Sequence, residues 1–162
     1  MKEYEEQNFK GISIKESVLP QNMNQNDILA IYSYFFREID TMNKELVIID
    51  PYLFPEHCND ITEYTSFLKN ILNSAKAEKY IIITRPVNPN NICKDTIESE
   101  FTNLIIRETN EYHDRIWISD RKKGFFTGTS INGIGKKLAL IDYINSDDIK
   151  FIVELLQSSN LL

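Results

Sequence analysis

The sequence predicts an α/β fold in which one mixed sheet is flanked by helices. Amphipathic helical patterns alternate with short, continuously apolar runs in the first part of the chain, and the last part changes to a two-residue period. A chain of 162 residues is long enough for one core, and it contains no linker that would divide it. Continuously apolar runs are typical of covered parallel strands, and a two-residue period is typical of antiparallel hairpins, so one sheet should contain both.

The first part of the chain predicts an extension followed by alternating helices and buried strands. Residues 1–26 are polar and form the extension, with an edge strand expected over 9–14, and residues 27–162 form the domain. Asn26 or Asp27 is expected to cap the first helix, because apolar residues then recur at the spacing of an amphipathic helix. The elements expected next are a strand over 46–49, a helix over 62–79, a strand over 80–84 and a helix over 95–109.

The last part predicts three successive strands and a closing helix. Short glycine-containing connections separate runs with a two-residue period, which indicates hairpins. The expected strands cover 115–119, 124–128 and 138–144. The segment 146–148, Ser-Asp-Asp, then caps a helix that continues through residue 156.

Composition limits the partners and the location that we expect. Lys plus Arg total 18 and Asp plus Glu total 24, which gives a net charge of −6. This charge excludes a polyanion-binding surface over the whole protein, so contact with nucleic acid or phosphate must come from a local cluster of cations. The acidic N-terminus has no apolar core and no apolar run is long enough for a membrane span, so we expect a cytoplasmic protein. Cys58 and Cys93 lack the spacing of a metal site, and we expect reduced thiols with neither metal nor cofactor.

One stretch combines residue types that phosphate chemistry uses. Its members are His113, Asp114, Arg115, Asp120 and a glycine turn formed by Gly128, Thr129, Ser130, Ile131 and Asn132. A histidine can attack phosphorus and carry a phosphoryl group, and a cation two positions along a strand lies on the same side as that histidine. The donors to the phosphate oxygens would be Arg115 and three side chains of the turn, Thr129, Ser130 and Asn132. Asp120 and Gly128 are expected to be structural.

This stretch resembles the HKD signature of the phospholipase D superfamily, in which His-x-Lys is followed by an Asp and then by a Gly-Ser/Thr-x-x-Asn turn. It departs from the signature in two places, since Arg115 stands where the family has lysine and the spacer before the glycine turn is one residue longer. The resemblance implies a phospholipase D-like domain over roughly residues 27–156, with His113, Arg115 and Asn132 as catalytic residues. It also implies that Asp142, an acid some way beyond Asn132, orients the imidazole.

A second segment supports the same resemblance. Asp50, Pro51 and Tyr52 follow an apolar strand and are similar to the Ser/Asp-Pro-Tyr segment that this superfamily places beside its site. Asp50 and Tyr52 are therefore expected to be structural residues near the site. With the His-Asp-Arg motif, the segment is similar to the phospholipase D-like C-terminal domain of MIT-domain proteins, which are dimeric binding modules. Bacterial phospholipase D-like proteins from defence-associated genes are similar as well.

The resemblance also implies a homodimer. The family's chemistry needs one histidine as nucleophile and another as acid for the leaving oxygen. This chain has one motif, because its other histidine, His57, has no cation two residues on. Single-motif members build one site across two copies of the chain, and we expect the same arrangement here.

Three functions remain open at this point. Arg115 keeps the charge of the family's lysine and adds a planar fork for phosphate oxygens, but a misplacement of about 1 Å costs roughly 100-fold in rate. We therefore expect a homodimer that binds a phosphate-bearing ligand, with nucleic acid and a partner protein as candidates, and that hydrolyses it weakly or not at all. The alternatives are a metal-independent phosphodiesterase, such as a nuclease with His113 as nucleophile, and a purely structural interaction module. Basic residues at 121–123 and 136–137 are expected to be solvated hairpin residues, and a positive rim around the motif is the alternative.

Overall fold

A computed structural model describes residues 18–162, so the edge strand expected over 9–14 lies outside the described residues. The elements in chain order are β1 (Val18–Leu19), α1 (Gln25–Glu38), β2 (Glu45–Ile49), α2 (Ile61–Ala75), β3 (Lys79–Thr84), α3 (Ile92–Glu100), β4 (Leu104–Glu108), β5 (Arg115–Ser119), β6 (Lys123–Thr127), a short 3-10 helix (Ile131–Gly133), β7 (Ala139–Ile144) and α4 (Ser146–Ser158).

The described strands form one mixed sheet, which confirms the predicted α/β class. Its seven strands lie in the order β1-β7-β6-β5-β2-β3-β4. Strands β2, β3 and β4 are parallel, and β5, β6, β7 and β1 continue the sheet with antiparallel pairs. The carboxyl ends of β2, β3, β4 and β6 therefore meet the amino ends of β5 and β7 at one end of the sheet, which we call the site end.

The two faces of the sheet are covered unequally. Leu46 and Ile48 of β2 pack in a core formed with α1, α2 and α3, whereas Val47 and Ile49 pack in a smaller core with α4. We call these the three-helix face and the α4 face. Both sets of β2 side chains are buried, which is why this strand reads as continuously apolar in the sequence.

The helix expected over 95–109 is wrong, because this segment contains both α3 and β4. Phe101 has an extended backbone at φ −107° and ψ 102° and ends the helix. The run 104–106 then pairs with β3 as an edge strand, with Ile106 beside Ile82 in a parallel register. The apolar residues that looked like a helical stripe belong partly to a strand with a two-residue period.

Several helix boundaries also differ from the sequence prediction. Asn145, rather than the segment 146–148, caps α4, since its side chain accepts a hydrogen bond from the Asp148 backbone N–H at 2.9 Å, and that helix continues to Ser158. The differences in α1 and α2 also have local causes. Asn24, rather than Asn26 or Asp27, caps α1, since its side chain accepts a hydrogen bond from the Asp27 backbone N–H at 2.9 Å. The Asp27 carboxylate in turn accepts from the Asn24 backbone N–H at 3.2 Å, which completes a capping box. Helix α2 ends at Ala75 instead of residue 79, because Lys76 adopts the left-handed conformation at φ 51°.

Candidate functional site

The topology gathers the ends of several elements at the site end. Helices α1, α2 and α3 run back along the sheet, so all three begin at the end where the parallel strands finish. Ligands of α/β proteins characteristically bind outside the carboxyl ends of parallel strands. Any functional side chain in this fold is therefore expected at this end.

A row of polar side chains crosses four neighbouring strands at the site end. The β2–β5 ladder finishes at the pair Ile49 and Ile116, so the next residues outward, Asp50 and Arg115, lie opposite one another. Arg115 pairs on its other side with Thr127 of β6. Thr84 ends β3 beside Asp50. By alternation along their strands, all four side chains belong to the three-helix face.

Asp50 organises the loop that follows β2. Its side chain is fully buried, and its Oδ1 accepts a hydrogen bond from the Tyr52 backbone N–H at 2.9 Å. The loop is anchored beyond this turn, because the Tyr64 hydroxyl donates to the Leu53 carbonyl at 2.6 Å and both Leu53 and Phe54 are buried. These contacts fix Tyr52 at the surface, where 38 % of it is exposed.

Tyr52 lies against two guanidinium groups, and we call these three residues the arginine–tyrosine cluster. The Cζ atoms of Arg85 and Arg115 lie 4.7 and 4.9 Å from the centre of the Tyr52 ring. Arg115 Nη1 also donates to the His113 carbonyl at 3.1 Å. Within residues 18–162 neither arginine forms a salt bridge, and the Nε atom of each is buried without a hydrogen-bond partner. The cluster therefore presents two positive charges that no carboxylate of residues 18–162 pairs with in a salt bridge.

Burial governs the electrostatics beneath this cluster. Burial raises the pKa of Asp50 to about 7, against the lowering effects of the Tyr52 backbone N–H and the Arg115 charge. Burial, and then the nearby Asp50 carboxyl, also raise the pKa of the Tyr32 and Tyr64 hydroxyls well above the ordinary value. Asp50 Oδ2 and the Thr84 hydroxyl are buried, and neither has a hydrogen-bond partner among the described residues.

His113 and Asp142 are not brought together by a contact in the structure. His113 is exposed in the loop before β5, and among the described residues its side chain makes no hydrogen bond or ion pair. Asp142 pairs with Phe126 in the β6–β7 ladder, and its Oδ1 accepts from the Tyr143 backbone N–H at 2.8 Å. By alternation with the core residue Ile141, Asp142 belongs to the α4 face, whereas Arg115 belongs to the other.

The polar groups of the glycine turn contact other residues of β6, β7 and the segment that joins these two strands. The Thr127 hydroxyl donates to the Thr129 carbonyl at 2.7 Å, and the Thr129 side chain lies against Gly133. Ser130 is buried. Gly128 is exposed and its backbone N–H donates to the Leu140 carbonyl of β7 at 2.7 Å.

Asn132 belongs to a separate cavity. Its Oδ1 accepts from Lys136 Nζ at 3.2 Å, and both residues line a cavity of about 300 Å³ between this connection and the first turns of α1 and α2. Neither His113 nor Arg115 lines that cavity. The structure thus places Asn132 beside Lys136 instead of beside the cation of the motif.

Asp120 and the basic run 121–123 lie at the opposite end of the sheet. They form the turn between β5 and β6, in which Asp120 and Arg121 adopt positive φ values of 51° and 58°. Arg115 and the four residues that separate it from Asp120 form strand β5. Five residues of strand span about 16 Å. Arg121 binds Glu45 through two nitrogens, at 2.8 and 3.3 Å. Residues 121–123 therefore lie in a hairpin, as first expected, and the alternative of a positive rim around the motif is wrong for them.

Arg85, Thr84, Thr127 and Tyr32 are the residues that the sequence analysis missed. Arg85 directly follows a buried parallel strand, and that position was itself a usable signal. Thr127 and Tyr32 carry no such signal, because only the strand register and the packing of α1 place them at the site end.

Neither a metal site nor a membrane span emerges from the part of the chain that the structure describes. Across residues 18–162 no group of three or more His, Cys, Asp and Glu side chains is placed to hold a metal ion. The same residues include no helix with the length and apolar character needed to cross a membrane. Cys58 and Cys93 are free thiols, and burial raises the pKa of Cys93 to about 11.

Comparison with known proteins supports the fold. No protein-family model and no curated protein matches the sequence. A polyphosphate kinase from Porphyromonas gingivalis superposes with a TM-score of 0.53 and 11% identity, over 90% of this chain and 23% of that chain. The archaeal chromatin protein TrmBL2 superposes with a TM-score of 0.47 and 10% identity, over 88% of this chain and 50% of its own. The chain thus spans half or less of each neighbour. At such low identities a superposition bears on the fold alone, and only the kinase has a TM-score high enough to do so.

Replacement of Asp50 by asparagine should change how stability depends on pH. Asparagine keeps an oxygen for the Tyr52 N–H but has no charge to bury. Because burial raises the pKa of Asp50 from its ordinary 3.8 to about 7, the folded state holds this proton more tightly, and the wild type should lose stability as pH rises between these values. Relative to wild type, the free energy of unfolding of Asp50→Asn should rise by up to about 4 kcal/mol across this window.

Urea unfolding at a series of pH values measures this difference. Asp114→Asn is the matched control, since Asp114 is exposed and the same isosteric change removes one negative charge. We expect Asp114→Asn to follow the wild-type curve. Parallel curves for Asp50→Asn and wild type would contradict the assignment of a raised pKa to Asp50.

Proposed function

We propose that the chain binds a phosphate-bearing ligand at the arginine–tyrosine cluster and hydrolyses it weakly or not at all. The observation that carries the proposal is the pair of guanidinium groups held against one exposed tyrosine ring without a carboxylate partner in the described chain. Guanidinium groups match phosphate oxygens with paired donors, and such charge-assisted hydrogen bonds are the strong ones.

The surroundings of the two arginines favour an anion from outside. Each Nε donor is buried and has no hydrogen-bond partner among residues 18–162, so an oxyanion held there would satisfy a donor that the described part of the fold leaves unpaired. The Tyr52 ring already contacts both guanidinium groups, which favours recognition of phosphate over stacking of a nucleobase on this ring. The net charge of −6 limits non-specific attraction of polyanions elsewhere on the chain.

The placement of His113 favours binding over turnover. A histidine that attacks phosphorus needs a group to orient its ring, and the carboxylate expected for this role, Asp142, belongs to the α4 face. The phospholipase D resemblance and the polyphosphate kinase neighbour both concern phosphate compounds, which supports the ligand class. The same resemblance supports a homodimer with the two His113 residues at a shared interface.

Removal of either guanidinium should weaken phosphate binding. We expect Arg85→Gln and Arg115→Gln each to raise the Kd for pyrophosphate and for a short oligothymidylate about tenfold or more, because each change removes charge-assisted hydrogen bonds of about 1.5–3 kcal/mol. Isothermal titration calorimetry measures the Kd, and the affinity of the wild type should fall as salt rises.

Arg37→Gln is the matched control for these variants. Arg37 is exposed in the last turn of α1, at the opposite end of the sheet, and its replacement makes the same change in side chain and charge. An equal loss of affinity in Arg37→Gln would show that net charge alone governs binding. That result, or no binding of either probe by the wild type, would refute the proposed site.

The phosphodiesterase alternative is tested by His113→Ala. We expect wild type and His113→Ala to hydrolyse bis(p-nitrophenyl) phosphate without added metal at the same low rate, since no carboxylate of residues 18–162 forms a hydrogen bond or ion pair with the imidazole. The initial rate of nitrophenolate release measures this. Robust wild-type turnover that His113→Ala abolishes would establish the active phosphodiesterase instead.

The homodimer should be visible in solution. Leu138 and Leu140 are 65% and 50% exposed near the site end, and burial of such apolar side chains would stabilise an interface there. We expect sedimentation equilibrium to give twice the chain mass, and Leu138→Glu with Leu140→Glu to raise the dimer Kd at least about tenfold. Phe151→Glu, on the outer side of α4, is the control. A wild-type monomer, or a dimer broken only by Phe151→Glu, would exclude the site-end interface.

A further inference from the structure

The buried carboxyl of Asp50 lies directly beneath the arginine–tyrosine cluster and is incompletely paired. One of its oxygens accepts from the Tyr52 N–H, and the other has no hydrogen-bond partner in the described part of the chain. Asp50 lies opposite Arg115 on the neighbouring strand, one step beyond the last ladder pair. The same carboxyl is thus linked to two members of the cluster, through the backbone of Tyr52 and the charge of Arg115.

The groups around Asp50 come from several elements. Tyr32 of α1 and Tyr64 of α2 face it with neutral hydroxyls, whose pKa values are raised first by burial and then by the Asp50 carboxyl. Arg115 of β5 supplies the positive charge that lowers the pKa of Asp50. Thr84 lies beside it on β3 and does not titrate. His113, in the loop before β5, is a second ionisable residue near Arg115.

We infer that Asp50 is a positioning residue of the anion site and that it takes up a proton when an anion binds Arg115. The inference rests on the proposed function. An anion on the guanidinium adds a negative charge near Asp50 and shares the cation that favours the ionised carboxylate, so binding favours the protonated acid. By linkage, the protonated acid must favour binding to the same extent. Anions therefore bind more tightly as pH falls through neutrality.

The position of Asp50 makes this coupling relevant at neutral pH. Its burial raises its pKa to about 7, so the free protein contains both protonation states in this range. A fully buried site also screens the charge of a bound anion less than bulk water does. The affinity of the cluster for an anion would then depend on the proton concentration.

Sulfate is a suitable probe, because it shares the tetrahedral oxyanion of phosphate and does not titrate near neutrality. We expect the wild-type Kd for sulfate, from amide chemical-shift titrations, to fall about fivefold from about pH 8 to about pH 6. The dependence should persist in His113→Gln, which removes the other nearby titrating group. It should be lost in Asp50→Asn, and Asp147→Asn should retain it as the matched control, since Asp147 is exposed at the opposite end of the sheet.

The carboxyl ¹³C signal of Asp50 gives a second measurement on the wild type alone, which holds even if Asp50→Asn fails to fold. Saturating sulfate should raise the pKa of Asp50. Sulfate binding with an unchanged Asp50 titration, or a pH dependence that disappears in His113→Gln, would overturn the inference and leave the anion site intact. No sulfate binding at any pH would overturn the anion site itself, and the inference with it.

Discussion

The antiparallel pairing of β2 with β5 is the constraint on which the candidate site depends. This pair joins the parallel strands β2–β4 to the antiparallel strands β5, β6, β7 and β1. Its register stops at Ile49 and Ile116, and the chain beyond each residue leaves the ladder at the site end. Arg85 comes from the parallel half and Arg115 from the antiparallel half, so only this pairing brings the two guanidinium groups to one tyrosine ring.

The same register places the Asp50 carboxyl in the core, where the ionised form of a carboxyl is unfavourable. Asp50 is fully buried, and an apolar residue at this position would avoid the cost of desolvating a charge. The surrounding core offsets this cost: Trp117 stacks on Phe125 with ring centres 5.9 Å apart, and Tyr32 meets the Trp117 ring edge-on at 5.2 Å. A residue that lowers stability within an otherwise consistent fold is typical of a functional position.

Sequence patterns predicted the elements well where the hydrophobic period was clear. They predicted them less well where pairing with a distant strand decides the secondary structure. The strands near 46–49, 80–84 and 115–119 were recognised because buried β-branched runs differ from helical patterns. Strand β4 was missed because its apolar residues continue the spacing of α3, and only pairing with β3 identifies them as a strand. Within the site, Asp50, Tyr52 and Arg115 were expected near one another. Spacing along the chain misplaced residues 121–123, since a strand lies between them and Arg115.

The geometry also explains why an arginine suits position 115 of this chain. The Arg115 guanidinium lies against the Tyr52 ring and donates Nη1 to the His113 carbonyl, so one planar group makes both contacts and keeps further donors for an anion. A lysine has a single point of charge, and contact with the ring would compete with contact to the carbonyl and the anion. The two contacts also tie the arginine to Tyr52, whose backbone N–H is held by Asp50. Position 115 is thus part of a chain of contacts that runs from the buried carboxyl to the surface, and in the proposed anion site these contacts would hold the arginine in place beside a bound oxyanion.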